Sequence, residues 1–301
     1  RKRGSEKSGA GGRYAGAGWL SNYCRIRIEM RNGEGAAYMK ISALLAGLPP
    51  EEARITGNPE QEVSDLTYDS RQVQPGALFF SVKGFRTDGH LYVGDAIGRG
   101  AVAVVHEQPL VLPSSVTGIQ VPNTRKAMGI ISANFFGHPA EKLHVVGVTG
   151  TKGKTTTTYL VKAVLQAAGY KVGLIGTNQN MINEQVLEAH RTTPESLDLQ
   201  RLFRQMLQYG CSFVVMEVSS HAIELGRTIG TDFDAAVFTN LSRDHLDFHE
   251  TIEKYFLAKA KLFTPLGKGM KKAFAAVNAD DEHGRRIRQM TDVPVLSFGM
   301  R

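Results

Sequence analysis

The densest chemistry in this 301-residue chain lies between Val145 and Thr158. A β-branched run turns through Gly147, Gly150 and Gly153. It then delivers Lys154 and Thr155 at the head of an apolar-periodic segment that begins at Tyr159. A strand, a glycine loop and a helix N-terminus are the parts of a nucleotide phosphate cradle. Glycines let backbone N–H groups approach phosphate oxygens closely. Lys154 would place a point charge on the terminal phosphates, and Thr155 would offer a hydroxyl to Mg²⁺. The strict P-loop pattern wants glycine at 148, where the chain has valine and carries its glycine one residue earlier. A plain glycine-rich turn is the competing reading. It leaves unexplained why Gly-Lys-Thr directly follows an apolar strand.

Other titratable groups gather where apolar runs end. Phe213 to Met216 leads into Glu217, and ligands of open α/β sheets collect at the carboxyl ends of strands. A carboxylate there, facing a phosphate loop, is a natural Mg²⁺ ligand; the alternative is a glutamate exposed at a strand end. Ser219, Ser220 and His221 follow and fit either a polar substrate contact or a turn and helix cap. The run from Ala236 exits through Asn240, Asp244, His245, Asp247 and His249. His245 and His249 at i and i+4 suggest zinc, but the helical zinc-protease glutamate is missing, so Mg²⁺ held through phosphates is the better reading. Arg191-Thr-Thr-Pro-Glu195 is a helix start with proline at its first position, or an anion site built on free N–H groups and hydroxyls. Asn278 to Asp281 is a turn or cap, or a contact to a nucleotide base. Lys259 and Lys261, on an amphipathic helix from Tyr255 to Phe263, would by composition alone be solvated surface lysines.

Composition narrows the class. Hydrophobic content of 42% and charged content of 22% fit a soluble globular protein of one or two domains. No run is long and apolar enough to span a bilayer. Two cysteines give no disulfide framework, as expected of a cytoplasmic protein. The net charge of +7 is concentrated in residues 1–38, which hold 8 Lys+Arg against 3 Asp+Glu and leave 28 against 26 elsewhere. The remainder has no basic stripe for nucleic acid. Residues 1–38 are expected to be a disordered or spurious lead, with Met39 the initiator, and the last residues to end at a strand as a fragment would.

The elements that must position these groups can be read from pattern. Residues 39–140 predict a small α/β domain with a strand after Pro75-Gly76, a helix from His90 to Gly100, a strand from Ala101 to His106 and a helix from Thr124 to Phe136. Gly137 to Lys142 reads as a linker. Residues 141–301 predict strands at 145–148, 172–175, 213–217, 235–239, 272–277 and 295–298, with helices at 155–168, 194–209, 252–262 and 282–290. Such alternation implies a mostly parallel sheet with helices on both faces.

Taken together, the ordered motifs resemble the Mur ligases, ATP-dependent amide-forming enzymes of peptidoglycan synthesis, and most nearly the type that adds the third peptide residue. They are Tyr68-Asp-Ser-Arg, Thr149-Gly-Thr-Lys-Gly-Lys-Thr-Thr156, Thr192-Thr-Pro-Glu195, Met216-Glu-Val-Ser-Ser-His221, Thr239-Asn-Leu-Ser-Arg-Asp-His-Leu-Asp247 and the segment Tyr255 to Phe263. The resemblance implies ATP and Mg²⁺ as cofactors. UDP-MurNAc-L-Ala-D-Glu and a free amino acid, meso-diaminopimelate or L-lysine, would be the partners of a monomeric enzyme working through an acyl phosphate. It implies that Gly150, Thr151, Lys152, Gly153, Lys154, Thr155 and Thr156 hold the ATP phosphates, that Thr155, Glu217 and His245 serve metal ions and that Lys259 is the lysine the family carbamylates. Ser70, Thr192, Thr193, Ser219 and Arg227 would contact the UDP substrate, and Asn278 and Asp280 the adenine. Lys152 departs from the family's usual asparagine, and Leu225 from the glutamine of some relatives. The family's C-terminal domain has no counterpart here, so an inactive binding module is the alternative expectation.

Overall fold

A computed structural model of the chain describes residues 38–85 and 87–300. The lead expected over residues 1–38 falls, apart from Tyr38, outside them. Two large sheets organise the described residues, beside a two-stranded ribbon of Met39–Lys40 with Glu62–Val63. The smaller runs in the order Arg54–Thr56, Thr117–Gln120, Ala103–His106, Ala77–Phe80, Asp65–Thr67, and only the first pairing is antiparallel. Ala77–Phe80 and Ala103–His106 are buried at every position. Both faces of these strands are covered, which is why their sequences are continuously apolar rather than alternating. Helix Thr124–Phe136 lies against this sheet. The side chain of Asn123 caps its start by accepting from Lys126 N at 2.9 Å, and Gly137 ends it in the left-handed region at φ 70°.

The larger sheet has eight strands, in the order Gln185–Leu187, Asn180–Ile182, Val172–Ile175, Phe213–Glu217, His144–Thr149, Ala235–Phe238, Phe274–Asn278, Val295–Phe298. The last six in this order pair in parallel, and the hairpin at the edge pairs antiparallel. Its first strand in the chain, His144–Thr149, sits in the middle, with Phe213–Glu217 on one side and Ala235–Phe238 on the other. Glu217 is in register with Val148, and Phe238 with Thr149. The topology therefore sets three chemistry-bearing strand exits side by side at the point where the connections diverge, the usual ligand crevice of such sheets. Helix Lys154–Ala167 covers one face through Val161 and Leu165, which pack on Val148, Val172 and Val215. Leu199, Phe203, Met206, Phe256 and Phe263 fill the other face.

The sheets share packing. Leu197, at the start of helix Ser196–Gln208, is fully buried in the core of the smaller sheet. Tyr68 donates its hydroxyl proton to Asp198 Oδ2 at 2.5 Å. Local departures from the sequence reading are small. The segment expected as a linker contains a one-turn helix, Pro139–Lys142, because Pro139 and Ala140 are buried. The expected helix 90–100 opens as a 3₁₀ turn, Gly89–Tyr92, before Val93–Gly98. No helix among the described residues is long and apolar enough to cross a membrane.

Candidate functional site

The glycine loop is held open by conformation. Gly150 sits at φ 146° and Gly153 at φ 85°, both costly for any residue with a Cβ. A Cβ on Gly150 would lie 1.9 Å from Thr239 Oγ1. The loop rests on the neighbouring strand exit: Thr239 Oγ1 donates to Lys152 O at 2.7 Å, and Thr151 N donates to Asn240 O at 2.9 Å. Lys154 folds over the loop and donates to the carbonyls of Gly150 at 2.9 Å and Thr151 at 3.1 Å. Burial holds its amine below the ordinary lysine range, against the pull of Glu217 and Asp244. Carbonyls are weak partners for an ammonium, so the contact can be exchanged for phosphate oxygens.

Glu217 is only 1% exposed, so it is not a glutamate left loose at a strand end. It accepts from Thr155 Oγ1 at 3.0 Å and Thr177 N at 2.9 Å through Oε1, and from Thr177 Oγ1 at 3.1 Å through Oε2. A hydroxyl and a carboxylate in direct contact at a helix N-terminus form the all-oxygen corner a hard divalent cation requires. Among the described residues no group of three or more His, Cys, Asp or Glu side chains is arranged to hold a metal. The donor set therefore suits a cation whose remaining ligands come from phosphate and water.

Lys259 is 1% exposed, and its Nζ donates to Gly150 O at 3.0 Å. It also lies 4.4 Å from the centroid of the Tyr255 ring. Burial, reinforced by the charge of Lys154, lowers its pKa to about 7. The expectation of a solvated lysine from composition alone does not hold. His245 lies at a left-handed position, φ 51°, with its ring centroid 4.9 Å from that of His221. His249 is buried and hydrogen-bonded through Nε2 to Ser220 Oγ at 2.9 Å. Burial pushes both His221 and His249 below the ordinary histidine pKa.

The segment Arg191–Glu195 packs against the Glu217 strand exit. With its own proton on Glu217, Thr177 Oγ1 accepts from Thr192 Oγ1 at 3.0 Å; Thr193 Oγ1 donates to Glu217 O at 2.9 Å, and Ser219 N donates to Thr193 Oγ1 at 3.1 Å. Arg227 Nη1 donates to Thr193 O at 3.1 Å. The expected helix start with proline at its first position does not form: the helix begins only at Ser196, with Glu195 before it, and leaves the two threonines at the site. Ser219 also caps the short helix Ser220–Glu224, accepting from Ala222 N at 3.2 Å.

These groups line one cleft of about 620 Å³. Of the expected residues, Thr151, Lys152, Gly153, Lys154, Thr155, Thr192, Thr193, Glu217, Ser219, Arg227 and His245 line it. Gly150 and Lys259 stand directly behind its loop. Thr156 lies in the following helix turn. Asn278 and Asp280 lie outside the cleft lining; Asn278 Nδ2 donates to Thr239 O at 2.9 Å, one residue contact from the glycine loop. Ser70 is buried in a 3₁₀ turn of the smaller sheet and does not line the cleft. Arg191 and His221, each read from sequence only as one of two alternatives, line it too, and Thr177 lines it without having been expected. Thr177 follows the strand Val172–Ile175, so the strand-exit rule that found Glu217 reaches it as well.

Comparisons with known proteins agree with this arrangement. The chain matches the Mur ligase middle domain over residues 148–301 and the Mur ligase family catalytic domain over residues 62–136. It is similar to the UDP-N-acetylmuramoyl-L-alanyl-D-glutamate--2,6-diaminopimelate ligase of Geobacillus thermodenitrificans, 47% identical over 266 residues that make up 87% of this chain and 54% of the relative. It is also similar to the ligase of the same name from Solibacter usitatus, at 48% identity over 80% of this chain and 49% of the relative. Among solved structures, a UDP-N-acetylmuramoyl-L-alanyl-D-glutamate--2,6-diaminopimelate ligase superposes with TM-score 0.72 at 27% identity, covering 87% of this chain and 53% of that one. The chain thus spans about half the length of the relatives it matches, and it belongs to the Mur ligase family.

Proposed function

We propose that this chain carries the ATP-phosphate site and the acyl-substrate site of a ligase that joins meso-diaminopimelate to UDP-MurNAc-L-Ala-D-Glu. The observation that carries the reading is the contact set in which Thr155 and Glu217 form one oxygen corner while Lys154 and Lys259 both converge on the Gly150 carbonyl. The names of the similar ligases support the substrates and the choice of diaminopimelate. In the proposed reaction a substrate carboxylate oxygen attacks the γ-phosphorus of ATP, the bond to ADP breaks, and an acyl phosphate forms. The incoming amine then displaces inorganic phosphate and gives up a proton as the amide forms.

The residues of this chain position and neutralise. Backbone N–H groups of residues 153–155 would meet phosphate oxygens at the helix N-terminus, while those of Thr151 and Lys152 are given to Asn240. Lys154 would exchange its carbonyl contacts for the transferring phosphoryl group. Thr155 and Glu217, with His245 across the cleft, would hold Mg²⁺, which supplies charge neutralisation at the phosphates. Lys259, part neutral near pH 7, has the free amine needed to react with CO₂ and become an anion beside this corner. Thr192, Thr193, Ser219 and Arg227 would seat the substrate. Ser70 would act from the smaller sheet, in a domain spanning 39–140, with the nucleotide domain spanning 141–301. Asn278 and Asp280 would meet the adenine. Dependence on ATP and a UDP-sugar agrees with the cytoplasmic location expected from sequence.

Calorimetric titration of UDP-MurNAc-L-Ala-D-Glu in the presence of Mg²⁺ and a non-hydrolysable ATP analogue tests the reading. Binding of both ligands to one site each is expected. A chain that binds the analogue and hydrolyses ATP at a rate indifferent to the UDP-dipeptide would instead be a plain P-loop ATPase.

A further inference from the structure

Glu195 makes three ion pairs, more than any other carboxylate among the described residues, and the reaction chemistry above does not employ it. It is 4% exposed. Oε2 accepts from Arg125 Nη1 at 2.7 Å. Oε1 accepts from Arg191 Nη1 in a short contact and lies 3.1 Å from Arg227 Nε. Three guanidinium groups therefore share one carboxylate. The adjacent acid, Asp198, is occupied by the Tyr68 hydroxyl and lies 3.6 Å from a different arginine, Arg201. Burial raises the Asp198 pKa, which lowers its worth as a counter-charge.

The surplus has a direction. Arg125 comes from helix Thr124–Phe136 and turns its other nitrogen to Lys83 O at 3.4 Å, away from the cleft lining. Arg191 and Arg227 both line the cleft, next to Thr192 and Thr193. Arg227 Nε is buried yet lacks an aligned hydrogen bond, so its contact with Glu195 is electrostatic. An arginine pair fixed from behind by one carboxylate is a pre-organised receptor for another carboxylate. A continuous set of contacts runs from the metal corner to this pair: Glu217 to Thr177, Thr177 to Thr192, and Thr193 to Arg227.

We propose that Glu195 is a positioning residue that holds Arg191 and Arg227 as a receptor for the substrate carboxylate that is not activated. This rests on the functional reading above. The terminal glutamate of the UDP-dipeptide has two carboxylates, and only one can meet Lys154 and the transferring phosphoryl group. Anchoring the other on the arginine pair would select which one reacts. Arg191 then becomes a substrate-contacting residue, and Arg125 ties the receptor to the smaller sheet.

The test titrates UDP-MurNAc-L-Ala-D-Glu and the two mono-amides of its terminal glutamate into the whole chain, with Glu195→Gln and Arg191→Ala alongside. In the wild type one mono-amide should bind about tenfold or more weakly than the diacid, the usual scale for a lost charge-assisted contact. That difference should vanish in Arg191→Ala and shrink in Glu195→Gln, while Glu195→Asp recovers part of it. Affinity for the Mg²⁺–ATP analogue should stay unchanged. Mono-amide losses that are the same in wild type and variants, or absent from both, overturn the proposal. So does parallel loss of nucleotide and substrate binding, which would make the network scaffolding only. A wild type that binds nucleotide but no UDP-dipeptide overturns the functional reading itself, and the inference with it.

Discussion

Lys259 sets the tone at the scale of single residues, because its position works against stability. An ammonium withdrawn from water carries a penalty unless it finds a counter-charge, and here the charge of Lys154 outweighs the opposing pull of Asp244. In the unfolded chain the amine keeps its proton up to its ordinary pKa of 10.5, whereas in the folded chain it releases it near pH 7. The penalty is therefore full below pH 7 and fades as pH rises towards 10.5, since the unfolded state binds more protons across that window. Lys259→Met should raise stability at about pH 6 by about 1 kcal/mol, roughly 2–4 °C in melting temperature for a chain of this size. Melting curves at several pH values would show the gain shrinking as alkalinity increases. A constant gain, or a loss at low pH, would contradict this account. The Gly150 carbonyl stays satisfied in the variant because Lys154 also donates to it.

At the scale of elements, the site is made by strand exits. His144–Thr149, Phe213–Glu217 and Ala235–Phe238 lie adjacent and in parallel, so the loops that follow them converge. Much of this was legible in the sequence. Strands 172–175, 213–217 and 295–298 and helices 124–136 and 282–290 fall where periodicity and apolar runs place them. Elements of two or three residues, such as Arg54–Thr56 and the hairpin Asn180–Ile182 with Gln185–Leu187, were not legible, because a period cannot show itself over so short a run. The burial of Lys259 was likewise hidden: its helix has the same local pattern whether or not a loop covers it. The clustering of three arginines on Glu195 depends on residues 70 positions apart, which no local spacing reveals. Close approach of neighbouring exits also makes a prediction. Gly150→Ala adds a Cβ within 1.9 Å of Thr239 Oγ1 at a backbone angle that disfavours it. Chemical denaturation should show a loss of about 1–3 kcal/mol, with weakened nucleotide binding. Unchanged stability would mean that the loop and the Thr239 exit are not packed as described.

Considered as a whole, the molecule joins its two sheets through helix Ser196–Gln208, which belongs to the larger sheet but sends Leu197 into the core of the smaller one. Arg201 Nη2 strengthens the junction by donating to Leu66 O at 3.1 Å. The same helix follows directly on Glu195, so the arginine cluster proposed as a receptor and the sheet junction are one structure. Leu197→Ala should cost about 2–5 kcal/mol and lower the melting of both sheets together in a single circular-dichroism transition. Two separated transitions would show that the sheets unfold independently. The central claim is that the 150–156 loop is a nucleotide phosphate site completed by Glu217. It is tested most directly by calorimetric titration of the whole chain, and of Lys154→Ala, with a Mg²⁺-bound non-hydrolysable ATP analogue. The account predicts one site in the wild type and an affinity at least about tenfold lower in the variant, the scale of a charge-assisted contact to phosphate. Equal affinity in the two proteins, or no binding by the wild type, would contradict it.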